Sequence, residues 1–236
     1  MPASQRAGSQ NPEEQVKKQA MVIGLGQFGM ALAQALAERE VEVLALDARR
    51  EPVDVASAFA TSAIQLDATD EDSLRRTSPE RRDLCVCAIG DENREGSIMC
   101  TALLRQLGAR HIIARATDAT HERILRLVGA HDVVNPERAF GERLATKLLY
   151  SAVLDEVPIG GDLVLTELRP PAAFVARTLS ELALPRRYEI NVVAVRREGD
   201  KGVSAPSPSA PLQASDILIV VSPPQAVAKL LGRFAG

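Results

Sequence analysis

Two rhythms of apolar and polar positions run along the chain. Up to about residue 135, short apolar runs alternate with stretches whose apolar positions recur every three or four residues. Residues 20–23 and 41–46 predict strands, and the near-continuous run at 84–89 predicts a strand buried on both faces, as in the middle of a parallel sheet. Residues 62–66, 111–114 and 133–134 predict three more strands. Between them, helices are predicted at about 28–38, 52–60, 70–76, 93–107 and 117–128, with Gly108 and Gly129 as stops. Six strands joined by helices predict an α/β fold with a doubly wound parallel sheet.

The rhythm then changes. A helix is predicted from Pro136, which suits a first turn, to about Leu154. Its apolar stripe is Phe140, Leu144, Leu148 and Leu149. Pattern alone allows that stripe to pack on another subunit or on its own domain. At Pro158-Ile159-Gly160-Gly161 the α/β alternation stops, which places a domain boundary there. Strands are predicted at 163–168, 190–196 and 216–221, and a turn at 198–202. A short helix at 178–184 has a Thr-x-x-Glu start, and a terminal helix covers 224–234. This is a small α+β module, whose core is thin unless it pairs with another copy.

The chemistry concentrates in the first βαβ unit. The first strand runs into Gly24-Leu25-Gly26-Gln27-Phe28-Gly29, a helix follows, and the second strand ends at Asp47. This is a G-x-G-x-x-G fingerprint in its Rossmann-like setting. Gly24 allows a tight turn, Gly26 lets a phosphate approach the backbone, and Gly29 lets the helix pack on the sheet. The positive end of the helix then faces the phosphates. Asp47 is placed to accept the ribose hydroxyls, and its charge would repel a 2′-phosphate, so NADP is not the expected dinucleotide. Asp67-Ala68-Thr69 and Ile89-Gly90 also follow strands at the carboxyl edge, where ligands bind in open parallel sheets. Asp67 suits an adenine or ribose there; its other reading is helix capping, which Thr69 or Asp70 could also supply.

Composition narrows the choices. Net charge is −3 and the arginine pairs are scattered, so no electrostatic case for nucleic-acid binding arises. No apolar run approaches the roughly 20 residues that span a bilayer, and no hydrophobic signal core opens the chain, so a cytoplasmic protein is expected. Cys85, Cys87 and Cys100 lack a partner pattern and read as buried apolar side chains. His111, His121 and His131 all fall in the first domain, away from the place where a nicotinamide would need a proton donor. There is no serine nucleophile elbow and no Walker A lysine. These features favour sensing over catalysis, with a small NAD-dependent oxidoreductase as the alternative.

The order of motifs resembles the RCK proteins (regulators of potassium conductance), close to the Ktr/Trk-type regulatory subunits of potassium uptake. The resemblance rests on residues 22–29 (VIGLGQFG), 44–47, Asp67-Ala68-Thr69, 88–90, 111–116 (HIIARA), 124–130 and Asn135-Pro136-Glu137. Residues 1–19, polar and rich in Gln, Ser and Pro, read as a disordered arm or a cloning remnant, and the resemblance implies an N-terminal RCK nucleotide-binding domain with a crossover helix over 20–157 and a C-terminal ligand and dimerisation domain over 158–236. It implies a dimer assembling to an octameric ring on a membrane potassium-transporting subunit, peripheral to the inner face of the membrane. The implied ligand is an adenine nucleotide, ATP/ADP or NAD/NADH. By position, Gly24, Leu25, Gly26, Gln27, Phe28 and Gly29 would form the phosphate cradle. Asp47 would hold the ribose, Asp67, Ala68 and Thr69 would border the adenine, and Ile89, Gly90 and Arg115 would line the pocket. Glu137 would hold a divalent cation near the terminal phosphate at a subunit interface. Some relatives bind cyclic di-AMP between paired C-terminal domains, and Arg186, Asn191 and Pro206 fall where such contacts arise. One position departs from the Ktr pattern: Gln27 stands where an arginine usually meets the γ-phosphate, which weakens ATP-over-ADP discrimination and adds weight to NAD, AMP or ADP.

Overall fold

A computed structural model describes residues 17–197 and 202–234. Most of the tail expected over 1–19 and most of the turn expected at 198–202 lie outside these residues. The chain divides into two compact units, 1–136 and 137–236.

The first unit alternates strand and helix in this order: β1 (Gln19–Ile23), α1 (Gln27–Ala37), β2 (Glu42–Asp47), α2 (Arg50–Ala56), β3 (Ser62–Gln65), α3 (Glu71–Arg76), β4 (Leu84–Cys87), α4 (Arg94–Gln106), β5 (Ile112–Arg115), α5 (Ala119–Leu127) and β6 (Asp132–Val134). The strands form one sheet in the order β3-β2-β1-β4-β5-β6, with every pairing parallel. This is the doubly wound arrangement that the pattern predicts. Side-chain alternation explains the two layers of core. Met21, Ile23, Leu44, Leu46, Cys85, Cys87 and Ile112 face one side, against Cys100, Leu103 and Leu104 of α4 and Leu125 of α5. Val22, Val43, Ala45 and Val86 face the other, against Ala33 of α1 and Val53 and Ala56 of α2. Central strands buried on both faces need apolar residues at every position, so their runs look continuous in the sequence. The cysteines are free and buried in the first of these layers.

The second unit holds α6 (Pro136–Leu149), β7 (Val153–Gly160), β8 (Leu163–Leu168), α7 (Leu179–Leu182), α8 (Leu184–Tyr188), β9 (Asn191–Arg196), β10 (Ile217–Ser222) and α9 (Ala226–Phe234). Its sheet is antiparallel, in the order β7-β8-β10-β9. Phe174, Leu184, Ile190, Leu218 and Leu230 lie at its centre, and the Phe174 ring meets the Phe234 ring edge-on at 5.2 Å. One expectation is corrected here. The helix from Pro136 ends at Leu149, not near Leu154, and Val153–Gly160 is a strand. Gly160-Gly161 closes the hairpin between β7 and β8, with both glycines at positive φ. The reason is positional. β7 is an edge strand, which tolerates Pro158 and two acids, so it lacks the apolar run of a central strand.

The Thr-x-x-Glu start is a complete capping box: Thr178 Oγ1 accepts from the Glu181 amide, and Glu181 accepts from the Thr178 amide. Thr178→Ala is expected to lower the stability of the second unit by about 1 kcal/mol in urea unfolding, with the first unit unaffected.

Candidate functional site

The carboxyl ends of the first four parallel strands and of β5 open onto a crevice of about 420 Å³, a volume suited to a small ligand. It lies where the strand order reverses between β1 and β4. Gly24 and Gly26 line it from the turn after β1, and Asp47, Ala48 and Arg49 from the end of β2. Asp67, Ala68 and Thr69 line it after β3, Ile89, Gly90, Glu92 and Asn93 after β4, and Arg115 from the last position of β5.

The three fingerprint glycines differ in what surrounds them. Gly24 has φ +90°, and a Cβ there would sit 2.9 Å from the Ile89 nitrogen. A Cβ on Gly29 would sit 1.8 Å from the Gly24 carbonyl oxygen. Both glycines are therefore required by the protein's own backbone. Around Gly26 nothing lies within 4 Å of a would-be Cβ, and its backbone is an ordinary extended one at φ −69°. The room at Gly26 is room for something else.

That opening meets the start of α1. Asp70, Asn93 and Asp118 cap α3, α4 and α5 with side-chain oxygens, whereas no side chain caps α1 or α2. The first amides of an eleven-residue helix thus head into the turn without a protein cap.

Asp47 fixes the turn from below. One carboxylate oxygen accepts from the Leu25 amide at 2.7 Å. The other accepts from the Arg49 amide at 2.8 Å and from Arg49 Nε at 3.3 Å. The side chain is only 8% exposed. Burial pushes its pKa up, but the amides of Arg49 and Leu25 and the Arg49 guanidinium outweigh that and hold it below the usual carboxylate range. Arg49 is raised in turn, first by its hydrogen bond to Asp47.

Asp67 and Thr69 form a closed turn at the crevice lip. Asp67 Oδ1 accepts from the Thr69 amide at 2.9 Å and from its hydroxyl at 2.7 Å. The cap of α3 is Asp70, which accepts from the Ser73 amide at 3.2 Å, so Asp67 is not needed there. The Arg115 guanidinium lies over the Phe28 ring at 5.9 Å, and its Nη1 occupies space that a Cβ on Gly90 would fill. An arginine from β5 thereby reaches the first turn of α1.

The structure thus gathers Gly24, Gly26, Asp47, Asp67, Ala68, Thr69, Ile89, Gly90 and Arg115 around one cavity. The others stand beside it or apart. Leu25 is buried and gives its amide to Asp47, Gln27 is exposed, Phe28 carries Arg115, and Gly29 packs on the turn. Glu137 belongs to the first turn of α6 in the second unit. Ala48, Arg49, Glu92 and Asn93 also line the crevice without being expected from the sequence, although each follows the carboxyl end of a strand. The histidines do not line the crevice. His111 contacts Asp132 at 2.9 Å and stacks on His131, and His121 is buried, which lowers its pKa.

A parallel sheet with an open glycine turn, an uncapped helix start and a carboxylate at the end of β2 defines a Rossmann-type nucleotide-binding module, joined here to a small antiparallel unit. Residues 20–136 match the TrkA-N domain and residues 163–235 the TrkA-C domain. The chain is 34% identical over 206 residues to Ktr system potassium uptake protein C of Bacillus subtilis, covering 87% of this chain and 92% of that one. It is 33% identical over 214 residues to Ktr system potassium uptake protein A of Vibrio alginolyticus, covering 91% and 96%. The chain belongs to this family of potassium-uptake RCK proteins. Among solved structures, the GsuK channel bound to NAD has the same fold, with a TM-score of 0.61 at 17% identity over 96% of this chain and 40% of that one. No helix among the described residues is long and apolar enough to cross a membrane.

Proposed function

We propose that the protein is a cytoplasmic, non-enzymatic regulatory subunit that binds an adenine nucleotide and gates a membrane potassium-transporting partner by changing shape. The observation that carries this reading is the open side of Gly26 beside the uncapped start of α1. Diphosphate would sit there on the first amides of α1, at Gln27 and Phe28. Asp47 would take the ribose, Asp67, Ala68 and Thr69 would border the adenine, and Ile89, Gly90 and Arg115 would close the pocket. Glu137 would serve a divalent cation. The names of the relatives support the potassium-uptake role. The GsuK structure bound to NAD supports a dinucleotide of that kind.

A ligand moves a 1:99 balance of shapes to 99:1 only with about 5.5 kcal/mol of differential affinity. Several sites acting together supply that more readily than one, which supports a dimer assembling to a ring. The α6 stripe supports it too: Phe140, Leu148 and Leu149 are 65%, 75% and 74% exposed, and no α6 residue is buried. That helix would pack on a second copy as a crossover helix. Cyclic di-AMP would bind between paired second units, with Arg186, Asn191 and Pro206 nearby.

The test is potassium uptake in cells carrying this protein and its membrane partner, with Gly26→Ala against the wild type. Loss of nucleotide-dependent uptake is expected. Unchanged uptake alongside abolished nucleotide binding would reject the regulatory role. Steady oxidation of NADH by the purified protein with a substrate would instead establish the oxidoreductase reading.

A further inference from the structure

The fingerprint acid is expected to reject a phosphate on the ribose 2′ oxygen, but its surroundings alter that expectation. Both Asp47 oxygens are engaged: one by the Leu25 amide, the other by the amide and Nε of Arg49. The carboxylate is therefore paired with a cation 3.3 Å away. Within the pair the Arg49 guanidinium offsets the Asp47 charge, so the carboxylate does not face the ribose edge alone. The Arg49 side chain is 62% exposed, and it lines the crevice beside Asp47. Nε faces Asp47, which leaves the two Nη groups of the fork for a ligand. The neighbouring Arg50 is engaged differently, by Asp54 one turn along α2 at 2.7 Å. Asp67 and Glu92 also line the crevice, and Glu92, with Glu51 of α2, acts on Arg49 through space as a weaker partner than Asp47.

Resting on the nucleotide reading above, we infer that Arg49 is a specificity residue that admits adenosine phosphorylated on the 2′ oxygen. The acid holds the arginine at the ribose edge, and the arginine meets the added phosphate with a charge-assisted, two-pronged contact. Acid and arginine together make the crevice tolerant of both forms.

The probes are 5′-AMP and adenosine 2′,5′-bisphosphate, titrated calorimetrically into wild type, Arg49→Ala and Arg50→Ala. Arg49→Ala retains the backbone amide that Asp47 accepts, so the turn is preserved. Wild type is expected to bind the bisphosphate at least as tightly as AMP. Arg49→Ala is expected to lose at least tenfold more affinity for the bisphosphate than for AMP, and Arg50→Ala to leave the ratio unchanged. Wild-type preference for the bisphosphate should shrink with added salt. A bisphosphate that binds wild type tenfold more weakly than AMP overturns the inference, as does an Arg49→Ala ratio equal to that of wild type. If AMP and bisphosphate both fail to bind wild type, the nucleotide reading falls as well, an outcome distinct from selective rejection of the bisphosphate.

Discussion

Asp47→Ala is expected to lower the unfolding free energy by about 3 kcal/mol and to weaken adenine-nucleotide binding at least tenfold, read by urea unfolding and calorimetry. The two effects share one origin. The Leu25 amide lies under the glycine turn, where the side chain of Leu25 is 3% exposed, and Asp47 is the acceptor it has there. Removing the carboxylate leaves that donor without its partner, and an unsatisfied buried donor costs more than an ordinary hydrogen bond contributes. The Arg49 guanidinium loses its partner as well, but it is exposed and water replaces the carboxylate. With the turn loosened, the start of α1 no longer holds a phosphate in register. Asp47→Asn is the informative control, because an amide oxygen can still accept from Leu25 while the charge is gone. Acid titration separates the parts further. The folded pKa of Asp47 lies below its ordinary value, so its stabilising contribution is full above the ordinary carboxylate range and disappears as pH falls through the folded value. Wild type should lose stability across that acidic window, and Asp47→Asn should lose less. Equal acid profiles for the two proteins would show that the carboxylate does not anchor the turn.

How much of this was legible beforehand depended on whether a residue's role is local. The parallel sheet was legible because strands such as 84–87 are buried on both faces and show it as an apolar run. The fingerprint was legible because tight turns, close approaches and helix starts restrict residue types at fixed offsets. Two elements of the second unit were hidden. β7 carries Asp155, Glu156 and Pro158, which an edge strand permits and a pattern reader takes for a loop. α8 has Pro185 in its first turn and left-handed residues, Ala183 and Glu189, at its ends, so five residues gave too short a period to detect. The pairing of Asp47 with Arg49 was hidden for another reason. The acid is part of a known fingerprint, and its engagement by the arginine two places on depends on a side-chain direction that spacing does not carry.

The same distinction between local and ligand-dependent roles gives the sharpest contrast among substitutions. Gly29→Ala is expected to destabilise the first unit by about 4 kcal/mol or more, near the top of what single substitutions do. The added methyl would overlap the Gly24 carbonyl oxygen at 1.8 Å, and neither backbone can yield without opening the turn. Gly26→Ala, three residues earlier in the same fingerprint, is expected to keep stability within about 1 kcal/mol. Its φ of −69° suits alanine, nothing lies within 4 Å, and the small loss of a glycine N-cap is offset by the reduced freedom of the unfolded chain. Its effect falls on the ligand: the methyl projects into the space a phosphate needs, so nucleotide affinity should drop about a hundredfold. Thermal unfolding with and without nucleotide measures both at once. Gly29→Ala should lower the midpoint of the apo protein, and Gly26→Ala should abolish only the shift that nucleotide adds. If Gly26→Ala kept the full nucleotide shift, the open side of this glycine would not be where phosphate docks, and the crevice would have to be read from the Asp67 lip instead.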